Sequence, residues 1–584
     1  MKCLLPILAF ILAGALGGCA TQGAVTTGPA TETAAAPAAA GEETTPPSGD
    51  FSPEVLYSLL VAEIAGQRGD LATALALYLE AARETRDAGI AERTARIAMA
   101  VRDTERSIEA TRIWLEAAPE SQEARQLLAI NLIKAGRAEE ALQQLDRLMN
   151  ADQTDPARRF LIIAALLGRE HTGPTALEVM RGLVEKHSDQ PEAHYALGEL
   201  AVSENDSGLA LQAVDEALRL KPDWTEAMVL RARALTLAGE TDAALAYLDA
   251  AGREHPQDNE LAMARARLLI QADRMDEAHA AFQALVRRNP DNGDALFALG
   301  LLSLQAGLDK EAERAFRRLL EVDGKTSARA PFYLGQVAEK RKDYEAALDW
   351  YSEVRSGPNF NEAQLRIAVV LARLERIDEA LAQLEDIASR NPAQRPRLYL
   401  VEGEILTNAG RLEQAMDIYN QALLELPGNT DIRYARALLA EKMDNLDLLE
   451  SDLKLLIERD PDNALALNAL GYTLADRTDR HAEALQYISQ ALELSPDDAA
   501  IIDSMGWVQY RLGDLEAAER HLRRALELRK GDPEIAAHLG EVLWARGRRD
   551  AAREVWQSAL ADHPDDAILR ETITRLTGQE PPRP

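Results

Sequence analysis

The sequence has almost no cysteine: its 584 residues contain only Cys3 and Cys19, both close to the amino terminus. Everything after Cys19 is free of thiols, which excludes disulfide bonds and cysteine metal sites from that part of the chain. Any folded domain there must therefore be stabilised by side-chain packing alone.

Basic residues are scarce relative to acidic ones. The chain has 65 Lys and Arg against 96 Asp and Glu, which gives a formal net charge of −31 at pH 7. A basic stripe is the electrostatic signature of proteins that bind nucleic acid, and its absence excludes that class of partner. An acidic body instead favours solubility and the attraction of basic partners.

Motifs for catalysis and metal binding are also missing. The nine histidines are scattered without a His-Glu-x-x-His pattern, and no glycine-rich phosphate loop with its Lys-Ser or Lys-Thr occurs. Ser504 lies in an Asp-Ser-Met-Gly sequence, but no strand precedes it to form a nucleophile elbow. We predict that the protein is not an enzyme and that it holds no cofactor and no structural metal.

The amino terminus has the pattern of a secretory signal. Lys2 is followed by an apolar stretch, Leu4 to Leu16, that is too short to span a bilayer, since a spanning helix needs ~20 apolar residues. The Leu-Gly-Gly-Cys sequence that ends at Cys19 resembles the lipobox of bacterial lipoproteins, which implies cleavage before Cys19 and acylation of its thiol. The alternative is that Cys19 is simply a small residue near an ordinary cleavage site. We expect residues 1–18 to be a signal peptide and Cys19 to carry lipid.

The resemblance to lipoproteins also implies a location. Ala20 follows the cysteine, whereas an aspartate there is associated with retention in the inner membrane, so the implied location is the periplasmic face of the outer membrane of a Gram-negative bacterium. Val25 is the only large aliphatic side chain between residues 20 and 50, and such a segment cannot bury enough apolar surface to offset its ordering entropy. We predict that residues 19–50 are a flexible lipidated tether and that the membrane is contacted through the lipid anchor only.

A period of about 34 residues runs through the rest of the chain. Alanines recur at gaps of 33 to 35 residues, or twice that, at Ala74, Ala141, Ala176, Ala210, Ala244, Ala278, Ala312, Ala347, Ala380, Ala415, Ala484, Ala518 and Ala552. The two double gaps contain degenerate units centred near Ile108 and Leu449. Most of the alanines are preceded, twelve residues earlier, by another tiny residue: Gly198, Ala232, Ala266, Gly300, Gly335, Ala368, Gly403, Gly506 or Gly540.

Each unit thus offers one tiny residue per helix, which two antiparallel helices need in order to pack closely. Four residues after the alanine, several units carry a large side chain that we expect to fill the gap toward the next unit: Tyr78, Phe282, Phe316, Tyr351, Tyr419 and Trp556. Glycines mark the tight turn within many units, at Gly136, Gly239, Gly307, Gly410, Gly513 and Gly547.

This pattern of small residues, aromatic residues and prolines resembles the tetratricopeptide repeat. The resemblance implies an all-α solenoid of about 15 stacked helix-turn-helix units over residues 51–577, followed by a short tail, 578–584. It also implies a right-handed superhelix whose concave groove is lined mainly by the first helix of each unit. Since no unit can bury its apolar face alone, stability is a sum of unit and nearest-neighbour terms.

The C-terminal units place unusual residues at the positions that face the groove. The candidate partner-binding residues are Asn468, Tyr472, Asp503, Trp507, Tyr510, Arg511, Glu541 and Trp544. Aromatic rings beside amide, acidic and basic groups on one groove are typical of a peptide-binding hot spot. The alternative is that the rings pack against the following helix as part of the core.

The first helix is a second candidate surface, because apolar residues, including Leu56 and Leu60, cover much of it. A terminal repeat is normally polar on its outer side. This helix either docks on a protein partner or folds back on its own repeat.

The whole layout resembles a family of proteobacterial tetratricopeptide lipoproteins, which includes the adaptor of the periplasmic carboxyl-terminal processing protease. That resemblance implies a scaffold that brings the protease together with its substrates, cell-wall hydrolases. One alternative is a scaffold for exopolysaccharide secretion or outer-membrane assembly. Another is an enzyme that acts on the cell wall, which the absence of catalytic motifs disfavours.

Overall fold

A computed structural model describes residues 51–151, 156–169, 173–324 and 329–581. The described residues contain thirty-one α-helices, one short 3-10 helix and no strand. They form two compact units, 51–324 and 329–581, each of which is described by itself. The predicted signal peptide, Cys19, the predicted tether and the last three residues of the tail lie outside the described residues.

The first unit contains sixteen helices, fourteen of which form seven closely packed consecutive pairs. The other two hardly contact each other: Pro156–Arg169 packs mainly on Pro191–Ser203, and Pro174–Lys186 packs mainly on Ala138–Ala151. They are α1 (Pro53–Gln67), α2 (Leu71–Thr85), α3 (Ala88–Ala100), α4 (Thr104–Ala117), α5 (Gln122–Lys134), α6 (Ala138–Ala151), α7 (Pro156–Arg169), α8 (Pro174–Lys186), α9 (Pro191–Ser203), α10 (Ser207–Leu220), α11 (Thr225–Leu237), α12 (Thr241–Glu254), α13 (Asn259–Gln271), α14 (Met275–Arg288), α15 (Gly293–Gln305) and α16 (Asp309–Asp323).

The second unit contains seven further pairs and one terminal helix. They are α17 (Arg329–Lys340), α18 (Tyr344–Ser352), α19 (Phe360–Arg373), α20 (Ile377–Arg390), α21 (Arg395–Asn408), α22 (Leu412–Glu425), α23 (Thr430–Lys442), α24 (Leu446–Arg459), α25 (Ala464–Arg477), α26 (His481–Leu494), α27 (Ala499–Arg511), α28 (Leu515–Leu528), α29 (Pro533–Ala545), α30 (Arg549–Asp562) and α31 (Ala567–Thr577). The 3-10 helix, Pro392–Gln394, precedes α21.

The turn inside most pairs is built around one left-handed residue, whereas the turn between α25 and α26 contains none. The six predicted turn glycines all have φ between 73° and 89°, a region that glycine enters without strain. In other pairs non-glycine residues take that place with φ between 57° and 61°: Arg102, Asn205, Asp273, Lys342, Glu375 and Asp444. An Asp or Asn then often caps the next helix, as the Asp206 carboxylate does for the backbone N–H of Leu209.

The small residues lie where the two helices of a pair cross. All thirteen of the periodic alanines are fully buried. In the degenerate units Ile108 and Leu449 occupy the same place and are also buried. The burial of every one of these residues agrees with the prediction that they lie at contacts between helices.

The large side chains that follow the alanines pack differently from expectation. A Cβ added to Gly300 would lie 2.5 Å from the Phe316 ring, and one added to Gly335 would lie 2.6 Å from the Tyr351 ring. Gly403 and Gly540 are covered in the same way by Tyr419 and Trp556. Each ring therefore fills the space over the glycine of its own pair, and the glycine is tiny because the ring needs that space.

The all-α fold of stacked tetratricopeptide helix pairs is confirmed in both units, with fourteen closely packed pairs, the separate helices α7 and α8, and the additional helix α31. Within the described ranges, no helix combines the length and the apolar character needed to cross a membrane.

Candidate functional site

The first helices α25, α27 and α29 lie side by side in the second unit and bring four polar or aromatic side chains together. Trp507 stacks on His538, with ring centroids 4.3 Å apart, and the Tyr472 ring lies 6.2 Å from His538. Asp503 accepts a hydrogen bond from His538 Nδ1. We call Tyr472, Asp503, Trp507 and His538 the histidine cluster.

Asp503 and His538 form a buried ion pair within this cluster. Each residue is only 6% exposed, and the Nδ1–Oδ distances are 2.9 and 3.1 Å. Burial disfavours the imidazolium, but the Asp503 carboxylate outweighs it and raises the pKa of His538. Burial also raises the pKa of Asp503, although the imidazolium opposes the shift. The pair fixes α27 against α29, one repeat apart.

Trp507 lies inside the packing between three helices. Its ring is 7% exposed, lies against His538, and donates a hydrogen bond from Nε1 to Asp476 Oδ1 at 3.1 Å. Little of the ring surface is open to a partner, so the geometry favours the core alternative for this residue. Arg511 supports the same region by donating a hydrogen bond to the Asp476 backbone carbonyl at 2.9 Å.

Tyr510 and Glu541 belong to a second chain of contacts on the same face. The Tyr510 hydroxyl donates to Glu541 Oε1 at 3.3 Å, and Arg575 of α31 binds both oxygens of Glu541 at 3.1 and 2.6 Å. Glu541 is buried, whereas Tyr510 is half-buried. Arg575 holds the carboxylate whether or not Tyr510 is contacted by another molecule.

Asn468 and Tyr472 carry the unused hydrogen-bonding capacity of this face. The Asn468 side-chain oxygen is enclosed and has no partner in the described part of the chain. Tyr472 is half-buried, and burial raises the pKa of its hydroxyl, with the carboxylates of Glu534 and Asp476 adding to the shift. A buried side-chain oxygen without a partner is uncommon in folded proteins.

Trp544 lies apart from the histidine cluster. Its ring packs 5.8 Å from that of Trp556, and the guanidinium groups of Arg549 and Arg553 lie 5.0 and 5.7 Å from its centroid. The sequence placed Trp544 on one continuous groove with Trp507, but its contacts are with the second helix α30 of its own pair.

The first helix has one face buried and another open. Val55 and Ala62 pack into the first pair, whereas Leu56 and Leu60 are 54% and 61% exposed and Tyr57 is 70% exposed. The helix therefore folds onto its own repeat and still presents an apolar surface. Large exposed apolar groups in a cluster are typical of interaction sites.

His538 and Arg575 are the contributors that sequence reasoning missed. His538 lies 35 residues after Asp503, which is one repeat plus one residue. It therefore follows by one residue the position in α29 that corresponds to Asp503 in α27. A search for residues of opposite charge one repeat apart would have paired it with Asp503, because adjacent first helices stack.

Among the described residues, two serines lie in surroundings that a hydrolytic triad could use, Ser303 and Ser504, and neither forms one. His279 Nε2 lies 3.1 Å from Ser303 Oγ and 3.0 Å from Glu311 Oε2, so one ring nitrogen serves both partners. Ser303 is fully buried, and the Ser504 hydroxyl donates to the Ala500 carbonyl. A triad needs an accessible hydroxyl and a carboxylate on the other nitrogen.

Most polar groups of this face thus bind each other. No group of three or more His, Cys, Asp or Glu suited to a metal ion occurs in the described ranges.

Comparison with known proteins agrees with this geometry. The tetratricopeptide repeat family matches residues 111–166, 166–224, 201–268, 263–324, 462–531 and 509–576, and a tetratricopeptide repeat-like domain matches 295–448. The TPR repeat-containing protein PA4667 of Pseudomonas aeruginosa is 42% identical over 540 residues, which cover 91% of this chain and 90% of that protein. The chain belongs to the tetratricopeptide-repeat proteins.

Solved tetratricopeptide structures are similar over shorter or more divergent stretches. The TTC0263 protein of Thermus thermophilus is 27% identical, and the match covers 32% of this chain and all of that one, with a TM-score of 0.29. Yeast Tom70 is 14% identical, and its match covers 90% of this chain and 95% of that one, with a TM-score of 0.31.

Proposed function

We propose that this tetratricopeptide-repeat protein is a periplasmic scaffold, anchored in the outer membrane through lipid on Cys19, that binds a carboxyl-terminal processing protease and brings cell-wall hydrolases to it. The general role, a protein-interaction scaffold, follows from the repeat family. The finer role is supported by the lipobox, the predicted tether and the resemblance to tetratricopeptide lipoproteins. The observation that carries the binding role is the row of half-buried side chains Asn468, Tyr472 and Tyr510 on the neighbouring helices α25 and α27.

The proposed contact surface consists of the accessible part of the α25–α29 face. Asn468, Tyr472 and Tyr510 contact the partner, while Arg511 contributes a charged group at its edge. Glu541 is buried and supports Tyr510 from below. Asp503 and Trp507 are positioning residues, since both are buried and hold the three helices in register. Half-buried tyrosines provide large contact area at low entropic cost, as interface hot spots require.

The exposed face of α1 is the second proposed contact. Leu56 and Leu60 stand on the outer side of the first pair, at the opposite end of the repeat sequence from α25–α29. Two contacts far apart in the chain suit a scaffold that holds two proteins at once. Binding both to one body makes their encounter intramolecular and raises their effective concentration.

A scaffold has a kinetic signature that an enzyme or an activator lacks. Cleavage of a purified hydrolase by the purified protease is measured over a range of concentrations of this chain. We expect the rate to rise and then to fall at excess chain, because the two partners then occupy different copies. A rate that rises to a plateau, or no acceleration, contradicts the scaffold proposal. Capture of exopolysaccharide-secretion or outer-membrane-assembly proteins in place of the protease would support the rival client.

The anchor is tested separately by cell fractionation. Cys19→Ala should release the protein from membranes while signal cleavage continues, whereas Cys3→Ala should change nothing in the mature product. Membrane association that survives Cys19→Ala contradicts the lipid anchor.

A further inference from the structure

The turns inside the repeat pairs carry a recurring ion pair. An arginine at the turn binds a glutamate three residues later, in Arg137–Glu140, Arg274–Glu277, Arg376–Glu379 and Arg480–Glu483, with N–O distances from 2.6 to 2.8 Å. The glutamate of each pair lies in the first turn of the second helix, where a negative charge also suits the helix dipole. In these four turns, the charge of the arginine is neutralised by a glutamate of its own pair.

Two turn arginines depart from this pattern. Arg411 is followed by Gln414 and binds Asp378 of the preceding pair at 2.6 Å, and the last pair also lacks the glutamate. Arg548 stands at the turn between α29 and α30, but Ala551 occupies the place of the glutamate. Arg548 instead binds Glu519 at 2.6 Å, and Arg546 binds the same carboxylate at 2.7 Å. One buried carboxylate of α28 is therefore shared by these two turn arginines and by Arg523, which binds it at 2.8 Å.

Two more arginines extend the positive surface. Arg549 is exposed, lies over the Trp544 ring, and forms no ion pair or hydrogen bond with the described residues. Arg553 has a side chain that is 55% exposed and lies 3.5 Å from Asp550, whose own side chain is fully exposed. We call Trp544, Arg546, Arg548, Arg549 and Arg553 the arginine end. It is a positive surface on a chain of net charge −31.

We propose that the arginine end binds an acidic segment of a protein partner, whose carboxylates pair with Arg549 and Arg553, while Arg546 and Arg548 stay bound to Glu519. Carboxylates match the planar guanidinium groups, which can bind them through two hydrogen bonds each. Trp544 and the arginines are also the residue types that dominate interface energies. This surface differs from the α25–α29 face, so it stands independently of the proposed protease contact.

An anionic membrane is the less suitable partner. Binding at a lipid surface gains from apolar side chains that insert between the lipids. At the arginine end the Trp544 ring is half-buried and covered by two guanidinium groups, so it is not presented for insertion.

The test uses the full chain and a fluorescent twelve-residue peptide of alternating Glu and Ala. We expect binding that weakens as salt is raised, because exposed charges are screened. Arg549→Gln with Arg553→Gln should weaken binding about tenfold, whereas Arg317→Gln with Arg318→Gln, which removes two exposed arginines from α16, should have little effect. Equal losses in both variants, or no binding of the peptide, overturn the proposal.

A second variant tests whether peptide binding depends on the absence of a glutamate at position 551 or only on the number of arginines. Ala551→Glu restores the pattern of the four turns that have a glutamate and keeps every arginine, so it should also weaken peptide binding while the thermal unfolding curve stays unchanged. Unchanged affinity in a well-folded Ala551→Glu protein overturns the proposal. Vesicles of phosphatidylethanolamine and phosphatidylglycerol serve as the other probe. If the variant with Arg549→Gln and Arg553→Gln loses more vesicle binding than peptide binding, the proposal is also overturned.

Discussion

The same repeat positions carry different contacts in the two units. In the first unit, Glu199 and Arg233 form an ion pair at 2.9 Å between neighbouring first helices, and both side chains are substantially exposed. In the second unit the corresponding helices are joined by Trp507 and His538, which are buried. The small residues at the crossings are common to both units, so the difference does not come from the fold. The face of α25–α29 is specialised beyond what packing of the repeat requires.

The largest expected effect is the loss of the Trp507 ring. Trp507→Ala removes a buried indole that stacks on His538 and binds Asp476, so we expect a loss of about 3–5 kcal/mol of unfolding free energy. The control is Arg233→Ala in the first unit. Chemical denaturation followed by circular dichroism measures both, and equal small losses would show that the two faces do not differ.

Breaking the buried ion pair is expected to have a similar effect. His538→Ala leaves the Asp503 carboxylate buried without its partner, and removal of one member of such a pair costs about 3–5 kcal/mol. The double variant Asp503→Ala with His538→Ala should recover part of that loss, because no charge is then left unpaired. A double variant as unstable as the sum of the two single ones would contradict the coupling.

Filling the space over a glycine should lower the free energy of unfolding by less than breaking the buried ion pair does. Gly335→Ala places a methyl group 2.6 Å from the Tyr351 ring, and we expect a loss of about 1–3 kcal/mol from the forced displacement. The matched control is Gly252→Ala in α12, where nothing lies within 4 Å of the added methyl group. Thermal melting that is unchanged for Gly335→Ala would refute the packing described here.

These glycines show what the sequence could and could not predict. The period of tiny residues identified the pairs, because helix crossings impose a rule that every unit obeys. It did not predict that Tyr351 covers Gly335 of its own pair, since the rule constrains only spacing. His538 was missed because its role depends on the distance between stacked helices, and Trp544 was placed in the groove because register alone does not show which neighbour a long side chain contacts.

The ion pair of the second unit should also make stability depend on pH. The pKa of His538 is raised on folding, so its stabilising effect is complete below about pH 6.5, the ordinary value, and is lost as the pH rises through the folded pKa. The raised pKa of Asp503 acts in the same direction, since the folded state again holds more protons than the unfolded state.

We therefore expect the melting temperature to fall as the pH is raised from 6 to 8, and to fall less for His538→Gln. Differential scanning calorimetry of both proteins across this interval measures the effect. If the melting temperature of His538→Gln falls with pH as steeply as that of the parent protein, the pH dependence of stability comes from other groups.

The smallest effect belongs to the exposed ion pair of the first unit. Arg233→Gln removes one partner of Glu199, and exposed pairs contribute about 0.2–1 kcal/mol. The loss should shrink further in 1 M salt, where the Debye length is about 3 Å. A loss of the size expected for Trp507→Ala would remove the contrast between the two units.

The central claim is that the accessible tyrosines of α25 and α27 bind the partner while the buried residues beneath them hold the surface in place. Titration of the purified protease into the full chain tests it most directly, with Tyr472→Leu combined with Tyr510→Leu and with Tyr247→Leu of α12 as the matched control. The account predicts affinity at least about tenfold lower, 1.4 kcal/mol, for the double variant alone, with thermal unfolding little changed. Equal affinity for the double variant and the control, in proteins that are both folded, would contradict it.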